Sequence, residues 1–293
     1  MKAIIGVDAG GGYKPGMDLF VRLGFSGAEV TVVSAVDTTP PIIPLGPGAP
    51  FVATDYVSQT DSASHRAAAQ AVESLAADGI TADSVVLYGA VVPVLLREAS
   101  ELKADLLVVN SVVRGKWLSA ILGSVSNSLT NEADTSVLVS KGEAVVEGPI
   151  TAVFATDHSE YAARALEKFL KMAPMGLQQI HILTVYDIDE LETKMVLRSL
   201  PELQIDMKEW VEEQLTEKCQ ALANRLGESG YDVSFSVLPG DVNEQISATM
   251  TERSASLLIL GAQGHGLIER VFTGSVALHQ VVSEPYPVLL IRA

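Results

Sequence analysis

The sequence predicts an α/β protein made of two tandem five-stranded parallel-sheet units. Each unit is Rossmann-like with strand order 3-2-1-4-5, and the two pack as a pseudo-dimer. Three observations carry this. Short apolar runs alternate with stretches of helical periodicity, which implies parallel strands joined by right-handed crossovers. The same order of motifs occurs twice, at an offset that drifts only from 149 to 151 residues. Runs such as Leu257–Leu260 are apolar at every position, as in strands of a sheet covered on both faces.

The elements follow in chain order. Ile5-Gly6-Val7-Asp8 pairs with Phe154-Ala155-Thr156-Asp157 as the first strand of each copy. The N-terminal run ends in a carboxylate and lacks the length of a signal peptide's apolar region, so a strand is expected there. Val32–Asp37 matches Ile182–Asp187 as the second strand. Leu87-Tyr88-Gly89 matches Leu238-Pro239-Gly240, Asp105–Val109 matches Ser256–Leu260, and Val137–Val139 matches Val288–Ile291. Between them, Ser159–Lys171 places Ala162, Ala163, Leu166, Phe169 and Leu170 on one helical face. Lys208–Leu226 does the same with Trp210, Val211, Leu215, Leu222 and Leu226.

The units are expected to span 1–144 and 148–293, with the join at Lys141–Pro149. The proline-rich segment Thr39–Pro50 reads as a surface excursion, and Asp187–Glu192 leads into a helical insertion in copy two. The last strands, Thr135–Ser140 and Pro287–Arg292, fall at sheet edges under this order. Open apolar edges invite pairing, and the cheapest partner for each is the other copy, antiparallel. A further homodimer through other faces stays open.

At 293 residues the chain has room for two cores. Its formal charge of −16 comes from an acidic excess in both halves, 9 basic against 16 acidic residues in 1–148 and 11 against 20 in 149–293. With no basic stripe, neither nucleic acid nor an anionic membrane surface is an expected partner. No apolar run reaches the ~18 residues of a membrane span. The single cysteine, Cys219, leaves no internal disulfide and reads as a packed thiol. A cytoplasmic protein fits these features.

The chemistry concentrates after the strand Leu257–Leu260. Gly261, Gly264 and Gly266 lie within six residues, and Gly274-Ser275 opens the helical stretch Ser275–Val282. In doubly wound sheets, ligands lie beyond the carboxyl ends of the strands where strand order reverses. Glycines let backbone amides approach such a ligand, and a helix N-terminus suits a phosphate. The plainer alternative is that Gly261 turns the chain and Ser275 caps the helix. No Lys-Ser/Thr follows the glycines, so this is not a P-loop.

The pattern Gly261-x2-Gly264-x9-Gly274-Ser275 resembles the nucleotide-binding signature of the universal stress protein family, and the resemblance covers nearly the whole chain as two tandem units. It implies a stress-response protein, a nucleotide-dependent signalling or protective module that binds ATP, ADP or AMP. Asp187, Asp189, Glu190 and Glu192 could attract Mg²⁺ near a triphosphate, and the plainer reading of these residues is a solvated helix start. In ATP-binding members of that family, the first-strand segment and the second-strand valine hold adenine and ribose. Carried over, this implies Ala155 and Thr156 in the segment that holds adenine and ribose, Asp157 on the ribose, Val185 against adenine, and Gly261, Gly264, Gly274, Ser275 and Val276 around the phosphates. His265 sits in the same loop, where phosphate contact and solvent exposure are equally open. Asp157-x-x-Glu160 also reads as a capping box. Copy one departs from the signature, with Asn110 and Val113 in place of Gly261 and Gly264, so one nucleotide per chain is expected.

Two rival readings remain. Gly10–Gly16 after the first strand, with Asp37 ending the second, has the outline of an NAD(P) fingerprint. Alternatively, the chain is a nucleotide-free interaction protein. Asp157-His158-Ser159 is no catalytic triad, because neighbours in sequence point apart. The five histidines show no metal-ligand spacing. At most, weak ATP hydrolysis or autophosphorylation is expected.

Overall fold

A computed structural model of the chain describes residues 1–38, 42–43, 51–52, 56–111, 123–142, 148–187, 207–263 and 273–293. The first half supplies β1 (Lys2–Val7), α1 (Lys14–Leu23), β2 (Glu29–Val36), the two-residue strands β3 (Ile42–Ile43) and β4 (Phe51–Val52), α2 (Tyr56–Ala77), β5 (Ala82–Tyr88), α3 (Val91–Leu102), β6 (Leu106–Ser111), α4 (Ser124–Glu132) and β7 (Ser136–Lys141). The second half supplies β8 (Ile150–Ala155), α5 (Glu160–Met172), β9 (Leu177–Tyr186), α6 (Met207–Glu228), β10 (Asp232–Pro239), α7 (Val242–Glu252), β11 (Leu257–Gly261), α8 (Ser275–Ser283) and β12 (Val288–Ile291).

Ten of these strands form one sheet in the order β10-β9-β8-β11-β12-β7-β6-β1-β2-β5. Counted without β3 and β4, each half runs 3-2-1-4-5 from its outer edge to the centre. Those two short strands pair with each other, antiparallel, β3 within the proline-rich excursion and β4 just after it. Pairing within each half is parallel. At the centre β12 and β7 run antiparallel, with Val288 opposite Val139 and Leu290 opposite Val137. The edge pairing that the apolar last strands call for therefore forms within the chain.

Strand alternation splits the core in two. Ile5, Leu106, Phe154 and Ile259 face one layer, which α1, α2, α5 and α6 cover through Phe20, Leu75, Phe169 and Leu226. Ile4, Leu107, Val153 and Leu258 face the other, under α3, α4, α7 and α8 with Leu95, Leu129, Ile246 and Val281. Both layers run continuously across the junction.

Two expectations need correction. The expected join, Lys141–Pro149, takes in Lys141, but Lys141 closes β7 and is buried. Its ammonium donates to the carbonyls of Gln280, at 3.1 Å, and Glu284, so a residue that composition would put in solvent caps the last turn of α8. The capping box at Asp157 and Glu160 does not form. Ser159 is the N-cap of α5 and accepts from the Ala162 N–H at 3.1 Å, while Asp157 Oδ1 accepts from the Ser159 N–H at 3.0 Å. Asp157 thus makes an Asx turn ahead of the cap. Among the described residues, no helix is long and apolar enough to cross a membrane.

Candidate functional site

The carboxyl ends of β9, β8 and β11 open into a cavity of about 440 Å³, within the usual range for small-molecule sites. Its floor follows the sheet order. On the β9 side, Leu183 and Val185 face Val242 and Ile246 of α7, making an apolar end. Above β8 lie Ala155, Thr156 and Asp157. On the β11 side, Gly261 and Gln263 meet Thr273, Gly274, Ser275 and Val276 at the start of α8. Neighbouring strands are ~4.8 Å apart, so the apolar end and the α8 end are separated by roughly 10 Å across β8.

Local sequence explains each wall. The Pro239-Gly240 turn places Gly240 at φ 118°, a conformation that favours glycine, and its N–H donates to the Tyr186 carbonyl at 3.0 Å. That turn delivers Asp241, whose carboxylate accepts from the Asn243 and Glu244 N–H groups and starts α7 beside the cavity. Thr156 Oγ1 accepts from the His158 N–H at 3.1 Å. His158 itself turns away, with Nε2 2.9 Å from Thr184 Oγ1, and burial and the nearby Lys218 lower its pKa. Thr184 Oγ1 in turn lies 3.3 Å from the thiol of Cys219, which is fully buried. Cys219 is the packed thiol that the sequence suggests.

At the α8 end, Gly274 rather than Ser275 is the N-cap, and among the described residues no side chain caps it. The Gly274 N–H donates to the Ala262 carbonyl at 2.7 Å, which ties the loop back to β11. Ser275, Val276 and Ala277 are then the first residues of the helix, whose amides have no carbonyl within it to bond. Together with the helix dipole they form an anion-receptive end. Gly261 also packs beside α5. A Cβ there would stand 3.4 Å from the ring of Tyr161, an ordinary packing distance.

Of the residues singled out from sequence, Ala155, Thr156, Asp157, Val185, Gly261, Gly274, Ser275 and Val276 all line this cavity. Gly264 and His265 lie outside the described residues, as do Asp189, Glu190 and Glu192. Sequence reading missed Val242, Ile246 and Thr273. The first two follow a recognised Pro-Gly turn, and Thr273 precedes Gly274, so position alone was the available signal.

The matching crevice of the first half is arranged differently. Asn110, at the place of Gly261, donates from Nδ2 to the Gly12 carbonyl at 2.6 Å. Gly10 and Gly11 wind tightly on Asp8, whose Oδ2 accepts from the Gly10 N–H at 3.0 Å and whose carbonyl accepts from the Gly11 N–H at 3.2 Å. Gly16 sits in α1 against the Val109 carbonyl, where a Cβ would stand at 3.4 Å. The glycines of Gly10–Gly16 thus serve a turn and a helix–strand contact, and an asparagine amide bridges the space beside them. Among the described residues no group of three or more His, Cys, Asp or Glu could hold a metal ion.

Comparison with known proteins agrees with this architecture. The model of the universal stress protein family matches twice, at residues 21–141 and 151–292. A universal stress protein of Methanocaldococcus jannaschii is 21% identical over 150 residues, covering 48% of this chain and 93% of that protein. The crystal structure of a universal stress protein from Archaeoglobus fulgidus superposes with a TM-score of 0.67 at 18% identity, covering 100% of this chain and 98% of that one. A putative universal stress protein from Pseudomonas aeruginosa gives a TM-score of 0.63 at 12% identity, covering 99% and 92%. At these identities the structures speak for the fold.

Proposed function

The chain belongs to the universal stress protein family as a tandem pair of its domains, and from that premise we propose that the second unit binds an adenine nucleotide. The units in this reading are residues 1–144 and 148–293. The observation that supports it most is the order of chemistry along the cavity: apolar walls at Val185, Val242 and Ile246, a carboxylate at Asp157, and helix-start amides at Ser275 and Val276. That sequence of surfaces suits a flat apolar base, a ribose hydroxyl and a phosphate chain in turn. A carboxylate accepts from a ribose hydroxyl, and unpaired helix amides donate to phosphate oxygens.

The second unit would hold ATP, ADP or AMP, and Mg²⁺ would arrive on the phosphates. The first unit has a structural role in this reading, because the Asn110 side chain bonds Gly12 where a ligand would pass. The chain then acts as a nucleotide-dependent binding module in the cytoplasm, with at most weak hydrolysis. Mass spectrometry of small molecules released on denaturing the purified chain tests this. An adenine nucleotide near one per chain is expected. Release of NAD or NADP instead, or failure of added ATP to bind the emptied protein, overturns it.

A further inference from the structure

Arg292 follows β12 at the centre of the sheet and is 7% exposed. Its N–H donates to Ser136 Oγ of the first unit at 3.2 Å. Its Nη2 donates to the Thr130 carbonyl at 2.5 Å, to Thr273 Oγ1 at 2.9 Å and, more distantly, to the Asn131 carbonyl at 3.5 Å. The Thr273 hydroxyl donates to the same Thr130 carbonyl at 2.6 Å. Thr130 and Asn131 are the last residues but one or two of α4, so Arg292 caps the first unit's helix while gripping the wall of the second unit's cavity.

Among the described residues the hydrogen-bond partners of this guanidinium are neutral, and its buried Nε has none. The carboxylate that acts on it through space, Asp134, is exposed. Burying a cation on neutral partners is costly. Lys141 makes the reciprocal crossing from β7 to the end of α8, with Glu284 beside it. The two crossings differ in a second respect as well. Arg292 also holds Thr273, the residue before the N-cap Gly274, whereas the matching residue of the first unit is Leu122, which has no hydroxyl.

We propose that Arg292 is a positioning residue for the phosphate end of the second unit's site. Through Thr273 it fixes the start of α8 against α4 of the first unit, so the amides that meet phosphate are set from across the junction. Its charge adds to the field of the helix end. This rests on the adenine-nucleotide reading above, and it makes a split prediction: phosphate recognition depends on Arg292, whereas recognition of the nucleoside does not.

The test is binding of ATP and of adenosine to the full chain, read by ligand-observed NMR, which reaches weak affinities. Arg292→Gln and Thr273→Val should each weaken ATP about tenfold, the scale of one charge-assisted contact. Adenosine should change less than about twofold on the same scale. Arg292→Lys, which keeps the charge with one bond, should recover part of the ATP loss. Thr273→Val keeps the guanidinium and the side-chain volume, so it answers even if Arg292→Gln fails to fold. ATP affinity unchanged in Thr273→Val and in any folded Arg292→Gln protein, or equal loss of ATP and adenosine, overturns the role of Arg292 alone. Absence of ATP binding to the unaltered chain overturns the nucleotide reading itself.

Discussion

Replacing Gly176 with alanine should weaken the junction between the units more than its size suggests. Gly176 lies in the turn between α5 and β9, pressed against the end of α1 in the other unit. Its N–H donates to the Leu23 carbonyl at 2.9 Å, the Met175 N–H donates to the Gly24 carbonyl at 3.2 Å, and Phe25 bridges Pro174. A Cβ at 176 would overlap the Arg22 carbonyl oxygen and stand 2.9 Å from the Arg22 carbonyl carbon. These are backbone atoms, so no rotamer change relieves the clash. The two segments must part by about 1 Å or more to reach ordinary contact distances. That breaks both hydrogen bonds, at about 1 kcal/mol each, and adds an overpacking cost of about 1–3 kcal/mol. The expected destabilisation is about 3–5 kcal/mol on these combined figures. Urea unfolding followed by circular dichroism measures it, with the slope checked for a change in cooperativity. Gly227→Ala is the control, because Gly227 lies in α6 with nothing within 4 Å of its added Cβ. It should stabilise by up to about 1 kcal/mol. A Gly176→Ala protein within about 0.5 kcal/mol of the parent, the scale of an ordinary surface change, would refute the packing argument.

Three further outcomes follow from the same structure. His181 is buried between Ser234 and Ser236, and burial first, then Arg253 against the opposing Glu252, pushes its pKa down to about 4 from 6.5. The unfolded chain takes up a proton there that the folded chain refuses, so stability falls as pH drops from about 6.5 towards 4. His181→Gln should lose less stability than the parent across that window, and equal losses in urea midpoints would count against the assignment. Gly264→Val places at the loop the residue that the first unit carries at Val113; ATP affinity should drop below detection while the unfolding midpoint holds, and unchanged affinity would remove that glycine from the site. Calorimetric titration should give one ATP per chain, and two equivalent sites would show that Asn110 does not close the first unit.

Much of the fold is legible in the sequence because it rests on local pattern. Leu257–Leu260 is apolar on both faces, so it belongs inside a covered sheet, and the repeated order of such runs sets two equal units. The central antiparallel pair follows from two apolar edges that share one chain. What stays hidden is set by competition or by distance. Asp157 and Ser159 are both competent caps, and only the path of the chain decides that Ser159 takes the helix and Asp157 the turn. Lys141 looks like a solvated linker residue, and its burial depends on carbonyls of α8 almost 140 positions away. The apolar end of the cavity comes from Val242 and Ile246, whose spacing reads only as an ordinary helix face. Gly176 carries no local signal, because the atoms it must avoid lie in another unit.

The claim at the centre of this account is that the second unit takes an adenine nucleotide across β9, β8 and β11. A crystal structure of the chain grown with ATP tests it most directly. The account predicts adenine between Val185 and the α7 residues Val242 and Ile246, the ribose at Asp157, and phosphate oxygens within hydrogen-bonding distance of the Ser275 and Val276 amides. Nucleotide bound at Gly10–Gly12 of the first unit, or phosphates pointing away from α8, would contradict it.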